Sequence, residues 1–323
     1  MNFDCSVFGA GAFGTSLAIS QARFGRKIGL WGRDSAKMEA MKRGGVNAAR
    51  LPDVPFPETL EVCADIERAA SAPVLLLAVP TQSLRGFLEE HASVLKGKTL
   101  VLCCKGIERG TGFLPTQVVR DIIEDADCAV LTGPSFAVDI GRGKPTALTL
   151  ASDMGEEKTT ALQASLSNSV LRLYASDDPV GAQLGGALKN VVAIAAGVSI
   201  GAGLGESARS ALMTRGFAEI VTLAAARGAK TQSLYGLAGF GDLVLTCTST
   251  KSRNYAYGID LGGETETDRD AVVEGIMTAH AICESVSDIE LPITRTVSAL
   301  IKGDVTLEAV IQDLMTRPLR NEF

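Results

Sequence analysis

The stretch GAGAFGTSLA, residues 9–18, decides the fold of this chain. Its glycines are spaced G-x-G-x-x-G, directly after the apolar run 3–8 and at the start of a helical pattern. In this motif the first glycine permits a tight turn, the second admits a pyrophosphate close to the backbone, and the third packs the helix on the strand. The alternative is an ordinary glycine-rich turn. The strand–turn–helix context favours a dinucleotide site at Gly9, Gly11 and Gly14.

Downstream of this motif, apolar runs alternate with helical stretches up to about residue 175. The central runs are unbroken, as is typical of strands covered on both faces of a sheet. The alternation predicts the α/β class, with a doubly wound, mainly parallel Rossmann-type sheet. The predicted strands span residues 3–8, 27–31, 74–79, 99–104, 129–131 and 146–151.

The pattern changes after Asp177-Asp178-Pro179, where helices follow one another without strands between them. Glycines and Pro292 separate these helices. We therefore predict a dinucleotide-binding domain over 1–178 and a separate all-α substrate and catalytic domain over 179–323. The predicted helices span 180–200, 206–227, 251–261, 270–286, 292–302 and 306–315.

Composition excludes several classes of function. The chain has 323 residues, 46% of them hydrophobic, and a net charge of −6, whereas nucleic-acid or membrane-surface binding favours a basic face. The apolar stretch 191–204 is shorter than the roughly 20 residues needed to span a bilayer, so we expect a buried helix and no membrane insertion. The N-terminus shows no export signal, and the seven cysteines show no metal-binding spacing. We expect a cytoplasmic protein without a metal.

The end of the second predicted strand reads Leu30-Trp31-Gly32-Arg33-Asp34. A carboxylate at this point binds the ribose 2′-hydroxyl of NAD, whereas an arginine attracts the 2′-phosphate of NADP. Arg33 therefore predicts NADP(H). Asp34 would favour NAD(H) if the strand ends one residue later, so NAD(H) stays the alternative. Trp31 is expected in the core.

Lys189 is the leading catalytic candidate. It is a lone charge within the small-residue run 184–196, and a charged amine there loses solvation unless it has partners or faces a cleft. The alternative is a lysine that extends from a buried helix to the surface. The chain has only two histidines, His91 and His280, and neither lies beside a plausible carboxylate partner. A histidine acid–base pair is therefore improbable, and lysine chemistry is favoured.

Three further segments place polar groups in glycine-rich surroundings. Lys105 and the Gly133-Pro134-Ser135 turn each follow a predicted strand, where ligands bind in open α/β sheets. The third runs from Gly239 through Asp242 to Asn254. Each also has a purely structural interpretation: a solvated lysine, a plain turn, a helix cap at Asp242, or a surface arginine at Arg253.

Taken together, these segments resemble the bacterial type of NAD(P)-dependent glycerol-3-phosphate dehydrogenase. The resemblance covers almost the whole chain, and several unlinked motifs in the same order make it specific. The motifs are GAGAFGTSLA (9–18), LPDVPFPETL (51–60), CCKGIE (103–108), TGPSFA (132–137), LGGALKN (184–190), TRGFAE (214–219), GFGDLVLTCTSTKSRN (239–254) and VVEG (272–275).

The resemblance implies reversible reduction of dihydroxyacetone phosphate to sn-glycerol 3-phosphate with NADPH or NADH. This step supplies the glycerol phosphate backbone for phospholipid synthesis. It implies that Lys189 exchanges the proton, that Lys105 and Asp242 assist it, and that the protein is a homodimer, as relatives often are. The implied substrate contacts are Lys105, Gly133, Ser135, Lys189, Asn190, Asp242, Ser252, Arg253 and Asn254. The implied cofactor contacts, beyond the glycines, are Ala12, Phe13, Arg33, Lys105, Ala137, Arg253, Val272 and Glu274.

The segment around VVEG departs from the family pattern. His280 stands where relatives often carry lysine, and the loop over 262–270 looks short. These departures lie in the segment that carries the implied contacts Val272 and Glu274. Two other functions stay open: a related two-domain reductase of a non-phosphorylated keto acid, which would not need Ser252, Arg253 and Asn254, and a dinucleotide-sensing protein without turnover.

Overall fold

An eight-stranded sheet forms the N-terminal half of the computed structural model, which describes residues 2–263 and 273–316. The strand order is β10-β9-β8-β7-β6-β1-β2-β5. The strands β5, β2, β1, β6, β7 and β8 are parallel, and β9 and β10 run antiparallel to them. The bounds are β1 Cys5–Phe8, β2 Ile28–Trp31, β5 Leu60–Cys63, β6 Val74–Leu77, β7 Thr99–Leu102, β8 Asp127–Thr132, β9 Thr146–Ser152 and β10 Leu171–Ser176.

Two hydrophobic clusters cover the two faces of the sheet. Val7 and Leu30 belong to one cluster, and the next side chains along the same strands, Phe8 and Trp31, belong to the other. Trp31 packs against Phe8 with ring centroids 5.5 Å apart and is buried, as predicted. The helices of this half are α1 Ala12–Ala22, α2 Ser35–Gly44, α3 Ile66–Ala69, α4 Thr81–Leu95, α5 Pro115–Ile122, α6 Ala137–Gly141 and α7 Glu156–Leu166.

The chain order places a topological switch point between β1 and β6. From β1 the chain proceeds outward through β2 to β5, and then returns to the opposite side of β1 to form β6. The loops after β1 and β6 therefore leave the sheet in opposite directions and open a crevice at its carboxyl edge. Ligands of doubly wound sheets bind in this crevice.

A small hairpin, β3 Val46–Asn47 and β4 Leu51–Pro55, lies outside the main sheet. Its buried residues Leu51 and Val54 belong to the same cluster as Val7 and Leu30. The hairpin was not predicted from the sequence, since it is short and contains two prolines. It includes most of the first half of the LPDVPFPETL motif.

The C-terminal half is helical, as predicted. The helix α8 packs against most of the others. A π-helical turn, Leu237–Gly241, leads into α11. The helices are α8 Pro179–Gly201, α9 Gly205–Ala226, α10 Thr231–Leu234, α11 Asp242–Cys247, α12 Arg253–Gly262, α13 Glu274–Ser285, α14 Pro292–Lys302 and α15 Leu307–Thr316.

The length argument for the stretch 191–204 is corrected by α8. This helix has 23 residues, and within the described part of the chain it alone is long and apolar enough to cross a membrane by length and composition. The stretch 191–204 covers only part of this helix, whose bounds agree with the predicted helix 180–200. The predicted burial is confirmed: 89% of its most apolar window is buried inside the protein.

Glycines bring α8 and α12 into backbone contact. A β-carbon at Gly197 would lie 2.2 Å from the Tyr255 carbonyl oxygen, and one at Gly258 would lie 2.2 Å from the Ile194 carbonyl oxygen. Real side chains do not fit at these distances, so only glycine permits this approach. The contact fixes α12, and the polar residues at its N-terminus, relative to Lys189.

The sequence-based bounds of the predicted strands and helices differ from the observed ones by a few residues, and the start of the predicted helix 270–286 lies outside the described residues. Larger differences are the strands β5 and β10 and the helices α10 and α11, which were not predicted. β10 is an edge strand whose exposed face carries Arg172 and Tyr174, so its apolar pattern is weak. The segment 237–247 was expected to be a loop because it contains the glycines Gly239 and Gly241.

Candidate active site

The three motif glycines have the distinct environments expected of a pyrophosphate cradle. Gly9 has φ 114°, in the left-handed region, and a β-carbon there would lie 2.6 Å from the Ala78 carbonyl oxygen in the loop after β6. A β-carbon at Gly14 would lie 2.0 Å from the Gly9 carbonyl oxygen. A β-carbon at Gly11 would meet nothing within 4 Å. The open side of this loop, at the N-terminus of α1, fits a dinucleotide pyrophosphate.

The two candidates for ribose recognition have different surroundings. Arg33 is exposed after β2. Asp34 is the N-cap of α2: its carboxylate accepts a hydrogen bond from the Lys37 backbone N–H at 3.0 Å and pairs with the Lys37 amine at 3.1 Å. The hydrogen bond to the backbone N–H lowers the pKa of Asp34. Asp34 thus already has a structural role, which favours Arg33 as the group that meets the ribose.

Lys189, Asp242 and Lys105 form one buried cluster between the two halves of the chain. The Lys189 Nζ donates to Asp242 Oδ1 at 2.5 Å and to the Thr246 hydroxyl at 2.7 Å. The Lys105 Nζ donates to Asp242 Oδ2 at 2.6 Å. Asp242 is fully buried and Lys189 nearly so, whereas Lys105 is half-buried. One carboxylate therefore holds the lysine of the helical half beside the lysine of the sheet.

The surroundings of Lys189 lower its proton affinity. Burial is the largest cause and brings the pKa to about 8; the Asp242 carboxylate raises the pKa, and the Lys105 ammonium lowers it. An amine with this pKa is protonated in a large fraction of molecules near neutral pH and loses its proton readily. This is the property required of a group that both donates and accepts a proton.

The π-helical turn explains how Asp242 reaches this position. A β-carbon at Gly239 would lie 2.0 Å from the Leu234 carbonyl oxygen, and one at Gly185 of α8 would lie 2.8 Å from the Ala238 carbonyl oxygen. The turn therefore packs closely against α8, one residue before Asp242 begins α11. Turns of this type are frequent at functional sites. Thr246, one helical turn after Asp242, was missed by the sequence reasoning; the i, i+4 spacing was its only signal.

The loop after β8 lies against the same cluster. Gly133 has φ 144°, and the Ser135 hydroxyl donates to the Gly133 carbonyl oxygen at 3.3 Å. A β-carbon at Gly186 of α8 would lie 2.9 Å from the Thr132 hydroxyl and 3.7 Å from the Lys105 side chain. Gly186 thus allows α8 to approach both strand ends. Ala137 begins α6, immediately after this loop.

Two polar side chains at the start of α12, Ser252 and Asn254, accept hydrogen bonds from backbone N–H groups. The Ser252 hydroxyl caps α12 by accepting from the Tyr255 N–H at 3.3 Å. The buried Asn254 side chain accepts from the Gly275 N–H at 2.9 Å. A β-carbon at Gly275 would lie 2.7 Å from the Asn190 carbonyl oxygen. Arg253 is exposed, which agrees with either a surface arginine or a ligand contact.

Glu274 is half-buried at the start of α13. Burial raises the pKa of its carboxyl group, while Lys105, Arg253 and Lys189 oppose this shift. The three cations that act on Glu274 are the cations of the predicted site. Val272 lies outside the described residues. Among residues 2–263 and 273–316, no group of three or more histidine, cysteine or acidic side chains is arranged to hold a metal ion.

The predicted site residues therefore occupy three adjacent places: the glycine loop at the carboxyl edge of the sheet, the lysine–aspartate cluster, and the α12–α13 junction. Their roles in binding and catalysis stay predictions. Asn190 is buried beside Lys189 on α8.

Comparisons with known proteins agree on one family. The models described as the N-terminus and the C-terminus of NAD-dependent glycerol-3-phosphate dehydrogenase match residues 4–158 and 178–312. A protein of Ruegeria sp. strain TM1040 named glycerol-3-phosphate dehydrogenase (NAD(P)+) is 51% identical over 98% of this chain and 99% of its own length. A protein of the same name from Cereibacter sphaeroides is 50% identical over 98% of this chain and 99% of its own.

The fold is similar to that of a solved glycerol-3-phosphate dehydrogenase. The crystal structure of glycerol-3-phosphate dehydrogenase from Coxiella burnetii is 33% identical, covers 98% of this chain and 99% of its own, and superposes with a TM-score of 0.92. Family models over both halves and half-identical relatives over nearly the full length leave one conclusion: this chain belongs to the NAD-dependent glycerol-3-phosphate dehydrogenase family.

Proposed function

We propose that this chain reduces dihydroxyacetone phosphate to sn-glycerol 3-phosphate with NADPH, reversibly, as glycerol-3-phosphate dehydrogenases of class EC 1.1.1.94 do. The observation that carries the proposal is the buried Lys189, which Asp242 holds at 2.5 Å beside Lys105 from the carboxyl edge of the sheet. A lysine of lowered pKa beside Lys105, which follows β7 at the carboxyl edge of the sheet, supports the role of proton donor. The product supplies the glycerol phosphate backbone of phospholipids.

The reaction needs a hydride for the ketone carbon and a proton for its oxygen. The reduced nicotinamide, when bound, supplies the hydride. Lys189 donates its Nζ proton to the carbonyl oxygen as negative charge grows there, and Lys105 stabilises the same charge as a second cation. Asp242 orients both amines. In the oxidation of glycerol 3-phosphate, neutral Lys189 takes the proton from the hydroxyl group.

The substrate phosphate requires positive charge from a chain that is acidic overall. Arg253 at the N-terminus of α12 supplies it, with the Ser252 hydroxyl and the Asn254 amide beside it. Charge-assisted hydrogen bonds to a phosphate are strong, and binding energy at the phosphate orients the reacting ketone. Gly133, Ser135 and Asn190 complete the proposed pocket.

The cofactor is proposed to be NADP(H), with NAD(H) as the alternative. Support comes from the exposed Arg33 and from Asp34, whose carboxylate is engaged at the N-cap of α2. Ala12, Phe13, Ala137 and Glu274 are the remaining proposed contacts among the described residues; Val272 is proposed from the resemblance alone. We also retain the domain division at residue 178, the N-cap of α8, and a cytoplasmic location.

We propose a homodimer as well. Exposed Tyr235 and Phe240 both stack edge-to-face on Phe217, which forms an aromatic surface on the helical half. Light scattering of the purified protein tests this assembly.

The decisive experiment compares kcat/KM for NADPH and NADH with dihydroxyacetone phosphate, and repeats the assay with an unphosphorylated ketone. We expect turnover with the phosphorylated ketone, and a preference for NADPH that an Arg33→Ser variant loses. In an Arg253→Ala variant, KM for dihydroxyacetone phosphate should rise, while the distant Arg172→Ala control should keep the wild-type KM. Turnover of only the unphosphorylated ketone, or no turnover at all, would contradict the proposal.

A further inference from the structure

The β3–β4 hairpin packs against α1, which follows the glycine loop, and against α6, which follows the loop after β8. Leu51 and Val54 pack on α6, where a β-carbon at Gly141 would lie 3.6 Å from each of them. Arg142, directly after α6, pairs with Asp53 of the hairpin at 3.2 Å. The hairpin is thus anchored by apolar packing and an ion pair.

One hairpin residue reaches the glycine loop itself. Asn47 is buried, and its side-chain amide donates to the Ala10 carbonyl oxygen at 3.1 Å and to the Thr15 hydroxyl at 2.8 Å. Ala10 lies between Gly9 and Gly11, and Thr15 is in the first turn of α1. A side chain 37 residues away therefore holds both the loop and the helix that follows it.

The bond to Ala10 has a geometric consequence for Gly11. The peptide group between them is trans, since no described residue follows a cis peptide bond. In a trans peptide the C=O and the N–H point in opposite directions. With the Ala10 oxygen directed toward Asn47, the Gly11 N–H is directed away from Asn47. A β-carbon at Gly11 would meet nothing within 4 Å, so there is free space beside this residue.

Glycines would otherwise leave this peptide free to rotate. Gly9 and Gly11 have no side chains to restrict the backbone, and a glycine loses more conformational freedom on ordering than any other residue. Only loops in the correct conformation bind a pyrophosphate. When the peptide is already held in that conformation, binding does not have to order it, and the entropic cost of ordering is not taken from the affinity.

We propose that Asn47 is a positioning residue of the dinucleotide site, which orients the Gly11 N–H toward the pyrophosphate by holding the Ala10 carbonyl group. The inference rests on the proposed function, because it assigns Asn47 to the same cofactor site. Asn47 itself does not touch the cofactor. Its removal changes the affinity for the dinucleotide and leaves the lysine cluster intact.

The test is a fluorescence titration of Asn47→Ala with NADPH in the absence of substrate. We expect the Kd for NADPH to rise about tenfold, because the hydrogen bond that holds the Ala10 carbonyl group is lost together with the one to Thr15. The kcat at saturating NADPH and the KM for dihydroxyacetone phosphate should stay within about twofold of wild type. The Asn47 amide contacts the glycine loop and α1, and it contacts none of the proposed substrate residues. Asn47→Asp is a second variant of nearly the same size, in which the side chain can no longer donate to Ala10.

Asn168→Ala is the matched control. The Asn168 amide donates to the Ser20 carbonyl oxygen at 3.3 Å, so it holds the same helix α1 near its other end. Its loss should lower the melting temperature without changing the Kd for NADPH. Wild-type affinity in folded Asn47→Ala or Asn47→Asp, with a lowered melting temperature alone, would show a purely structural role and overturn the inference. If wild type itself fails to bind NADPH, the proposed function falls as well.

Discussion

At the scale of single residues, Lys189 could be identified from its sequence context. A charge within a small-residue run loses solvation, which is costly unless the charge has partners or faces a cleft. Its partners were harder to identify. Asp242 and Lys105 could be proposed from their glycine-rich surroundings, but their shared contact depends on how two distant segments pack. Asn47 carries no local signal, since a buried amide looks like any polar residue in the sequence, and Thr246 carries only its i, i+4 spacing from Asp242.

Replacing Lys189, the proposed proton donor, should abolish most of the activity. We expect Lys189→Ala to lower kcat by about 10³-fold, because it removes both the proton and the positive charge at the developing alkoxide. The Kd for NADPH, measured by fluorescence, should change little. An exposed lysine variant, Lys96→Ala, serves as the control, and near-normal turnover by Lys189→Ala would remove the central assignment.

The pH dependence should report the environment of Lys189. Because reduction requires the protonated amine, kcat/KM for dihydroxyacetone phosphate should fall as pH rises through about 8, and the oxidation rate should rise over the same range. In Asp242→Asn the supporting charge is lost while burial and Lys105 remain, so the falling limb should move to lower pH. Pre-steady-state rates across pH 6–10 measure this limb. An exposed control, Asp304→Asn, should leave the limb in place.

At the scale of elements, the parallel sheet and the long helices were predicted because their apolar periodicity is strong. The elements that were missed share a physical reason. The β3–β4 hairpin and the 237–247 segment take their shape from packing against α1 and α8, and their glycines and prolines, read locally, indicate loops. These are also the elements that hold the glycine loop and Asp242.

The glycine contact between α8 and α12 should be intolerant of a single methyl group. We expect Gly258→Ala to lower the free energy of unfolding by about 1–3 kcal/mol, because the new β-carbon would lie 2.2 Å from the Ile194 carbonyl oxygen. KM for dihydroxyacetone phosphate should rise as well, since Ser252, Arg253 and Asn254 move with α12. Urea denaturation and steady-state kinetics give the two quantities.

The matched control is Gly86→Ala, in the middle of α4. A β-carbon at this exposed position would meet nothing within 4 Å. Alanine favours the helix over glycine by about 0.5–1 kcal/mol, so this variant should gain stability. If both variants behaved alike, close backbone packing would not explain the α8–α12 contact.

At the scale of the whole molecule, contacts of two kinds join the sheet half to the helical half. The pair Arg109–Glu284, at 2.6 Å, is exposed, whereas the Lys105–Asp242 pair is largely buried. Exposed pairs contribute little because solvent screens them and the side chains lose entropy. A buried carboxylate between two ammonium groups is different, since its removal leaves charge without a partner.

This contrast gives a stability prediction. Asp242→Ala should lower the free energy of unfolding by more than about 3 kcal/mol, because Lys189 then faces Lys105 in a buried site. Arg109→Ala should unfold at nearly the wild-type urea concentration. Equal effects of the two substitutions would contradict the view that the buried cluster, rather than the surface pairs, holds the two halves together.

The backbone contact between α8 and α12 would also limit the length of the substrate that fits between Lys189 and Arg253. It fixes the separation between the backbones that carry Lys189, the proposed proton donor, and Arg253, the proposed phosphate contact, and neither helix can slide along the other without a clash. A phosphorylated ketone with one methylene more would bring its carbonyl group past the amine, and one with a methylene less would fall short. Selection among chain lengths would thus be set by two interlocked main chains rather than by the size of any side chain.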